Sequence, residues 1–305
     1  MLGEEVRGEL ASVQAARRCD RLAELSALFH TAGSLHLRGH GHIALHLDVS
    51  SSAVARRAFR LLRGLDVASE IRTYRRHAFG RETRYQLHVS GQARTVEILR
   101  EAGVLSARGA PLTRPPKRVC GRACCRAAYL RGALLGAGSV SGPRAAHLEV
   151  RTATREGAEF LAWAARGAGV ELRVSERRRY ALAYAKGTEA IADALALAGA
   201  SDAALTLEEH AVVGAARAGA NRLANADHAN LVRASRAAQV QVRAIRRLEE
   251  EGGLEMLPAR LREAAELRLR HPSLSLGELA RKTRPPSSKA SVHRRLRQLV
   301  DRAGG

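Results

Sequence analysis

The chain of 305 residues is long enough for two domains, and a hydrophobic content of 46% can supply an ordinary core for each. Its formal net charge is +21, because the sequence has 51 Lys and Arg residues and only 30 Asp and Glu residues. A positive field of this kind attracts polyanions such as nucleic acid. The sequence has no run of about 18 or more apolar residues, and Glu4, Glu5 and Glu9 stand where a signal peptide needs basic residues. These features predict a cytoplasmic protein without membrane partners, with nucleic acid as its first candidate ligand.

An internal repeat organises the first two thirds of the chain. The segment from Cys19 to Leu35 aligns without a gap with the segment from Cys124 to Val140, and both end in Ala-Gly-Ser followed by an apolar residue. Alternating apolar residues and glycines continue the correspondence downstream: Tyr85, Leu87 and Val89 with Tyr180, Leu182 and Tyr184, and Gly91 and Gly103 with Gly187 and Gly199. Similarity over both stretches predicts two copies of one structural unit.

Each copy carries the pattern of a helix, two strands, a second helix, two more strands and a closing helix. In the first copy, apolar and polar residues alternate on both sides of the turn from Gly39 to Gly41, which predicts a hairpin. The later elements of that copy are a helix from Ala53 to Arg63 and strands from Ile71 to Arg76 and from Thr83 to Val89. The second copy has strands at Leu148 and Val150 and around Val170, Leu172 and Val174, separated by a helix from Glu159 to Arg166. The predicted fold class is α+β, built from two αββαββα halves.

Prolines and composition predict the boundaries of these units. The segment 111–118 contains Pro111, Pro115 and Pro116, which break helices and strand ladders, so it is predicted to link the halves 1–110 and 119–202. The stretch from Ala203 to Glu250 is rich in alanine and lacks proline, which favours a long helix, and 203–255 is predicted to be a helical connector. The segment 256–305 is predicted to form a separate helical domain.

The strand pattern leaves one polar face free on each predicted sheet. On the first sheet this face consists of His36, Arg38, His42, His46, Arg84, Gln86 and His88. On the second sheet it consists of Arg151, Arg173, Arg177 and Arg179, together with the acids Glu149 and Glu171. We expect Arg38, Arg84, Arg151, Arg173 and Arg177 to contact DNA phosphates. A sheet face that is merely solvated is the alternative interpretation, and the two acids favour it.

Small residues end the first helix of each copy. They would let two helices approach closely, and they occupy these positions: Ser26, Ala27 and Thr31 in one copy, Gly132, Gly136 and Ala137 in the other. The pattern resembles the LAGLIDADG motif of homing endonucleases, in which an acid before the terminal glycine holds a divalent cation for phosphodiester cleavage. The corresponding residues here are Ala32 and Ala137, whose side chains cannot bind a metal. The sequence therefore predicts a protein without catalytic residues or enzymatic activity, with a metal-dependent endonuclease as an alternative.

The four cysteines are unevenly placed, with Cys120, Cys124 and Cys125 close together and Cys19 alone. A zinc site would ordinarily show a Cys-x-x-Cys pair or a suitably spaced histidine, and neither accompanies them. Buried, reduced thiols are the expected state, and neither a metal nor another cofactor is predicted.

The segment 256–305 has the pattern of three short helices. A first helix contains Leu257 and Leu261, and Ser275 with Glu278 forms a capping-box pair at the start of a second. A third helix is predicted to start after Ser287 or Ser288 and to run to about Arg302, with one apolar stripe at Val292, Leu296 and Leu299. This succession is typical of a helix-turn-helix.

The third helix offers the side chains that read base edges and bind phosphates. The candidate DNA-binding residues are Ser287, Ser288, Lys289, Ala290, Ser291, Arg294, Arg297 and Gln298. A solvated charged helix face is the alternative interpretation.

The order of these modules resembles the WhiA family of bacterial transcription regulators. Two segments carry the likeness, CCRAAYLRGALLGAGSV from Cys124 and ANRLANADHANLVRASRAAQVQ from Ala220. The resemblance implies a regulator of cell division, and of sporulation in Actinobacteria that sporulate, which binds promoters through its C-terminal module. We therefore predict a nucleoid-associated transcription regulator whose partner is double-stranded DNA, with another regulator or RNA polymerase as a further candidate partner and no small-molecule substrate. A non-specific nucleoid-packaging protein is the main rival interpretation.

Overall fold

The computed structural model describes residues 2–38, 42–75, 83–142 and 146–304. It divides into two compact units, Met1–Ala215 and Ala216–Gly305. The first unit contains both repeats, each with one four-stranded antiparallel sheet, and the second unit is helical. The α+β class and the two αββαββα halves predicted from the sequence are confirmed.

The first half places its helices on one face of a sheet with strand order β1-β2-β4-β3. Its elements are α2 (Arg18–Ala32), β1 (Gly33–Arg38), β2 (His42–Val49), α3 (Ser52–Arg63), β3 (Ser69–Arg75), β4 (Thr83–Ser90) and α4 (Ala93–Glu101). Leu45 and Leu47 on β2 pair with Val89 and Leu87 on β4, and all four are buried in the core. The predicted turn from Gly39 to Gly41 and the residue Arg76 lie outside the described residues.

The second half repeats this topology with strand order β5-β6-β8-β7. Its elements are α5 (Ala123–Ala137), β5 (Gly138–Ser141), β6 (His147–Thr152), α6 (Arg155–Arg166), β7 (Arg173–Glu176), β8 (Ala181–Lys186) and α7 (Thr188–Ala198). The predicted start of α6 at Glu159 was wrong by one helical turn. Thr154 begins this helix, because its side-chain oxygen accepts a hydrogen bond from the backbone N–H of Gly157.

The predicted alignment of the last strands of the two halves, which matched Leu87 and Val89 with Leu182 and Tyr184, was also wrong by one residue. On β8 the residues that face the core are Ala183 and Ala185, which pair with Val150 and Leu148 of β6. Leu182 and Tyr184 therefore lie on the opposite face, since neighbouring side chains of a strand point to opposite sides. The core face of β8 consists of Ala181, Ala183 and Ala185, whose small side chains give little hydrophobic signal in the sequence. In contrast, Leu87 and Val89 clearly mark the core face of β4.

The N-terminal helix α1 (Leu2–Ser12) was not predicted. It buries Val6 and Leu10 in the core shared by the two halves. Its Glu9 carboxylate accepts hydrogen bonds from the backbone N–H groups of Asp202 and Ala203 at 2.8 and 2.9 Å. This carboxylate caps the start of the next long helix.

The helix α8 (Ser201–Glu250) continues from the first unit into the second. Leu207 near its start is buried in the core of the first unit, and Ile245 near its end is buried in the core of the second. Three helices follow: α9 (Ala259–Arg270), α10 (Leu276–Lys282) and α11 (Lys289–Ala303). No helix in the described ranges combines the length and apolar character needed to cross a membrane.

Candidate nucleic-acid interface

The helix α11 is anchored by one apolar face and leaves its basic face exposed. Val292, Leu296 and Leu299 are buried against α9 and α10, as the sequence pattern predicted. The opposite face exposes Lys289, Ala290, His293, Arg294, Arg297 and Gln298. Within the described part of the chain, Arg294 and Arg297 make no ion pair, so both guanidinium groups are available to a ligand.

Ser287 and Ser288 stabilise the turn before α11 through hydrogen bonds. Ser288 starts the helix, because its hydroxyl oxygen accepts a hydrogen bond from the backbone N–H of Ser291 at 3.1 Å. The hydroxyl of Thr283 donates to Ser287 Oγ at 3.0 Å, and the backbone N–H of Ser287 donates to the carbonyl of Ala280. These two serines shape the turn, and Ser291 is only partly exposed.

The second helix of this domain begins at the predicted capping box. Ser275 Oγ accepts from the N–H of Glu278, whose carboxylate accepts from the N–H of Ser275 at 2.8 Å. This pairing holds the pKa of Glu278 below its usual value, because the Ser275 groups stabilise the ionised carboxylate. The buried guanidinium of Arg268 on α9 donates to the carbonyl of Leu274 at 2.7 Å and fixes the loop between the helices.

Three further exposed cations lie near α11 and were not predicted from the sequence. Arg281, Lys282 and Arg284 are exposed at the end of α10 and in the turn that follows. In contrast, Arg295 points inward, where Glu263 lies 3.8 Å from it and its side chain is only 16% exposed. The charge beside the turn could have been recognised in the sequence from the run Arg281, Lys282 and Arg284.

On the first sheet, the predicted polar face is a row of histidines. The rings of His36 and His46 lie 4.7 Å apart, and those of His46 and His88 lie 4.1 Å apart. Arg84 lies on this face, but its Nη2 atom is 2.6 Å from Asp48 Oδ1, so its charge is compensated within the sheet. The side chain of Arg38 lies outside the described residues.

The second sheet exposes more uncompensated positive charge. Arg173 lies on the free face, where it pairs in register with Tyr184, and its side chain is exposed. Arg151 is exposed above the ring of Tyr180, with Glu149 at 3.7 Å. Arg177 was predicted to lie on the strand, and this prediction was wrong because β7 ends at Glu176. The turn between β7 and β8 contains three exposed arginines, Arg177, Arg178 and Arg179.

The helices α2 and α5 run side by side in the same direction, and they approach closely, as the small residues predicted. A Cβ atom added to Gly132 would lie 2.3 Å from the carbonyl oxygen of Glu24, and one added to Gly136 would lie 2.1 Å from Thr31 Oγ1. The first of these contacts is with the backbone, so only glycine permits the approach of the two helices at Gly132. Ala32 and Ala137 end the two helices, at the place where an acid would be needed to hold a cation.

A buried ion cluster joins the two helices at their middle. The Glu24 carboxylate is fully buried and accepts hydrogen bonds from Arg57 Nε at 2.7 Å, Arg57 Nη2 at 2.8 Å and Arg131 Nε at 3.1 Å. Arg131 Nη1 donates to the carbonyl of Ala198 at 2.9 Å. Glu24, Arg57 and Arg131, called the Glu24 triad below, therefore connect α2, α3, α5 and α7.

A cluster of thiols lies at the N-terminal ends of the same helices. Cys19, Asp20, Cys124 and Cys125 have side-chain donor atoms that all lie within 4.8 Å of one another. Burial and the neighbouring thiols of Cys19 and Cys124 raise the pKa of Cys125 to about 12. Cys120 is buried outside this group, and burial raises its pKa to about 12 as well.

Two pseudo-symmetric halves that pair through closely packed helices, followed by a helix-turn-helix, define a LAGLIDADG-like scaffold joined to a helix-turn-helix domain. Family profiles match this architecture throughout: the WhiA N-terminal LAGLIDADG-like domain at residues 18–105, the WhiA LAGLIDADG-like domain at 126–217 and the WhiA C-terminal HTH domain at 220–303. The chain belongs to the WhiA family.

Similar proteins and structures span nearly the whole chain. The probable cell division protein WhiA of Heliobacterium modesticaldum is 37% identical over 297 residues, covering 97% of this chain and 93% of that protein. Its counterpart from Symbiobacterium thermophilum is 38% identical over 299 residues, covering 97% and 95%. The crystal structure of full-length WhiA from Thermatoga maritima superposes with a TM-score of 0.58 at 23% identity, covering 99% of this chain and 97% of that one. An N-terminal LAGLIDADG domain of WhiA gives a TM-score of 0.52 at 19% identity, covering 65% and 90%. These structures support the fold.

Proposed function

We propose that this chain is a sequence-specific double-stranded DNA-binding regulator of transcription that performs no chemistry. The observation that carries the proposal is the exposed face of α11, where Lys289, Arg294, Arg297 and Gln298 stand opposite a buried apolar stripe. Arg and Lys recognise guanine in the major groove and Gln recognises adenine, so such a face can read bases. Similar proteins are named as probable cell division proteins, and these names support promoters of cell division genes as the targets. In a sporulating host, promoters of sporulation genes would be further targets.

The two units divide the work in this proposal. The helix α11 supplies base contacts, while the exposed arginines of the second sheet, above all Arg173 and the turn at Arg177, supply phosphate contacts. Arg281, Lys282 and Arg284 add phosphate contacts beside α11. Binding of this kind would concentrate the protein on the nucleoid. Another transcription regulator or RNA polymerase would then act as a protein partner at the promoter.

The decisive experiment measures specificity rather than affinity. After bound sites have been mapped across the genome, binding of Arg294→Ala is compared on a preferred duplex and on a scrambled duplex. We expect the variant to lose about 1 to 3 kcal/mol on the preferred duplex and much less on the scrambled one. The matched control is Arg302→Ala, which removes an equal charge from the last turn of the same helix.

The control variant should leave the ratio between the two duplexes unchanged. If Lys289→Ala, Arg294→Ala and Arg297→Ala all leave that ratio unchanged, α11 does not read bases. A protein that binds both duplexes equally from the outset would instead support nucleoid packaging.

The absence of catalysis is tested separately. The endonuclease alternative requires a cation between the ends of α2 and α5, where Ala32 and Ala137 offer no ligand. Purified protein is incubated with supercoiled DNA and Mg²⁺ or Mn²⁺, and we expect no nicking above the level of a mock preparation. Metal-dependent nicking that elutes with the protein through two further purification columns would contradict this part of the proposal.

A further inference from the structure

We propose that Cys19, Asp20, Cys124 and Cys125 form a zinc-binding site that joins the N-terminal ends of α2 and α5. Cys124 Sγ and Cys125 Sγ lie 4.0 Å apart, and Cys19 Sγ lies 3.5 Å from Asp20 Oδ1. Zn–S bonds of about 2.3 Å in a tetrahedral site place the ligand atoms roughly 3.8 Å from one another. The four donors therefore already have nearly the spacing that one zinc ion needs.

The repeat supplies these ligands as two equivalent pairs. Cys19 aligns with Cys124 and Asp20 with Cys125, so each half contributes two adjacent residues from the first turn of its helix. Neighbouring side chains on a helix ordinarily point in different directions. Here both pairs converge because the two helices start side by side, and all four donor atoms fall within 4.8 Å. The sequence shows no zinc-binding pattern because the two pairs come from different halves.

Positive charges around the cluster would compensate the charge of its metal-bound ligands. Arg17 Nη1 lies 3.7 Å from Cys124 Sγ, and the N-terminal ends of both helices carry partial positive charge. Three thiolates and one carboxylate outweigh the charge of Zn²⁺, and Arg118 and Arg122 line the adjacent cleft where they offset the excess. Sulfur ligands select zinc over the oxygen-seeking cations Mg²⁺ and Ca²⁺.

The site is accessible and lies far from the lost catalytic positions. A cleft of about 460 Å³ reaches Cys19 and Cys125 and gives an ion a route to the cluster. The helix α2 has 15 residues, so its ends lie roughly 20 Å apart, and Ala32 is at the other end. With four protein ligands the site would be structural, and its ion would stabilise the contact between the halves.

The test is a titration of the full-length, reduced and metal-free protein with Co²⁺, followed by Zn²⁺. We expect one equivalent of Co²⁺ to bind with thiolate-to-cobalt charge-transfer absorption and the visible bands of tetrahedral cobalt, and one equivalent of Zn²⁺ to abolish both signals. Loss of a hydrogen bond that supports a metal ligand typically weakens metal binding by roughly 10- to 100-fold. Cys19→Ser and Cys124→Ser each remove a ligand, so each should weaken Co²⁺ binding by more than this. Asp20→Asn should keep the charge-transfer absorption and weaken binding less than either serine variant.

Cys120→Ala is the matched control, because it removes a nearby buried thiol that lies outside the cluster. It should bind Co²⁺ like the unchanged protein. Circular dichroism verifies the fold of each variant, and the titration of the unchanged protein stands even if a variant fails to fold. Absence of charge-transfer absorption with all four thiols reduced would overturn the proposal, as would unchanged binding by folded Cys19→Ser or isolation of a metal-free protein with a disulfide between the halves.

Discussion

The helices α2 and α5 occupy equivalent places in the two halves, yet they contribute opposite chemistry to their shared interface. Where α2 has Glu24, the aligned residue of α5 is the buried Tyr129. Where α5 has Arg131, the aligned residue of α2 is Ser26. One helix therefore supplies the acid and the other supplies one of the two arginines that bind it. A repeat in sequence and topology has become complementary at the level of side chains.

The Glu24 triad has a cost as well as a benefit. Removing a carboxylate and two guanidinium groups from water is unfavourable, and hydrogen bonds to both carboxylate oxygens are needed to offset this. Deleting Glu24 leaves both guanidinium groups buried without an acid, and deleting either arginine leaves Glu24 with only one of its two partners. The interface thus depends on all three residues together.

The largest expected effect is that of Glu24→Ala. It leaves two nearly buried guanidinium groups uncompensated, which should lower the free energy of unfolding by about 3 to 5 kcal/mol. Urea unfolding followed by the fluorescence of Trp163, the only tryptophan, measures this in the LAGLIDADG-like unit. The control is Glu70→Ala, since Glu70 pairs with Arg72 on the surface and its loss should change little. Equal effects of the two variants would contradict the role given to the triad.

A smaller loss of stability is expected from Gly132→Ala. The aligned residue of α2 is Ala27, so the change makes the two helices alike at this position. The added Cβ would lie 2.3 Å from a backbone carbonyl oxygen, and the helices must move apart at a cost of about 1 to 3 kcal/mol. Gly8→Ala in α1 is the control, because its Cβ meets nothing within 4 Å and alanine favours a helix. The same unfolding measurement should show loss for the first variant and a slight gain for the second.

The two open sheet faces offer a third comparison, which rests on the proposed function. Arg173→Ala should reduce the slope of log affinity against log salt by about one unit, because one phosphate contact is lost. Asp48→Asn should steepen it, because it frees Arg84 from its ion pair. Both slopes are measured on a scrambled duplex over the same salt series. If neither variant changes the slope, these sheets do not contact DNA.

The smallest effect is a dependence of stability on pH. His30 of α2 aligns with Leu135 of α5, and burial holds the pKa of His30 below its ordinary value of 6.5. The unfolded chain therefore takes up a proton first, so the free energy of unfolding falls as the pH decreases below 6.5 and is unaffected above it. His30→Leu should lose this contribution. Unfolding of both proteins from pH 7.5 to 5 tests it, and parallel curves would refute the assignment.

The sequence predicted the repeated topology and the basic amphipathic helix α11 because these depend on local signals. Periodic apolar residues indicate the strands β2 and β4, and the hydroxyl of Ser275 with the carboxylate of Glu278 indicates the start of α10. The core face of β8 was missed because alanine carries little hydrophobic signal. Alternation also assigned Arg177 to a strand, although β7 ends one residue earlier.

Contacts between the halves could not be predicted from either half alone. Glu24 has the position of an ordinary polar residue in a helix, and only the packing of α5 gives it the partner Arg131. In the same way, Cys19 is isolated in the sequence and meets Cys124 and Cys125 only after folding. Both features depend on the register between two helices that are distant along the chain.

The Glu24 triad also affects which copies of the two halves can associate. Two copies of the first half would each keep the Glu24–Arg57 ion pair, whereas two copies of the second half would bring together two Arg131 side chains without an acid. Like charges buried together oppose the second of these homodimers. When the chain is cut within 111–118, the second half should accordingly prefer the first half to another copy of itself, so the two halves are no longer interchangeable.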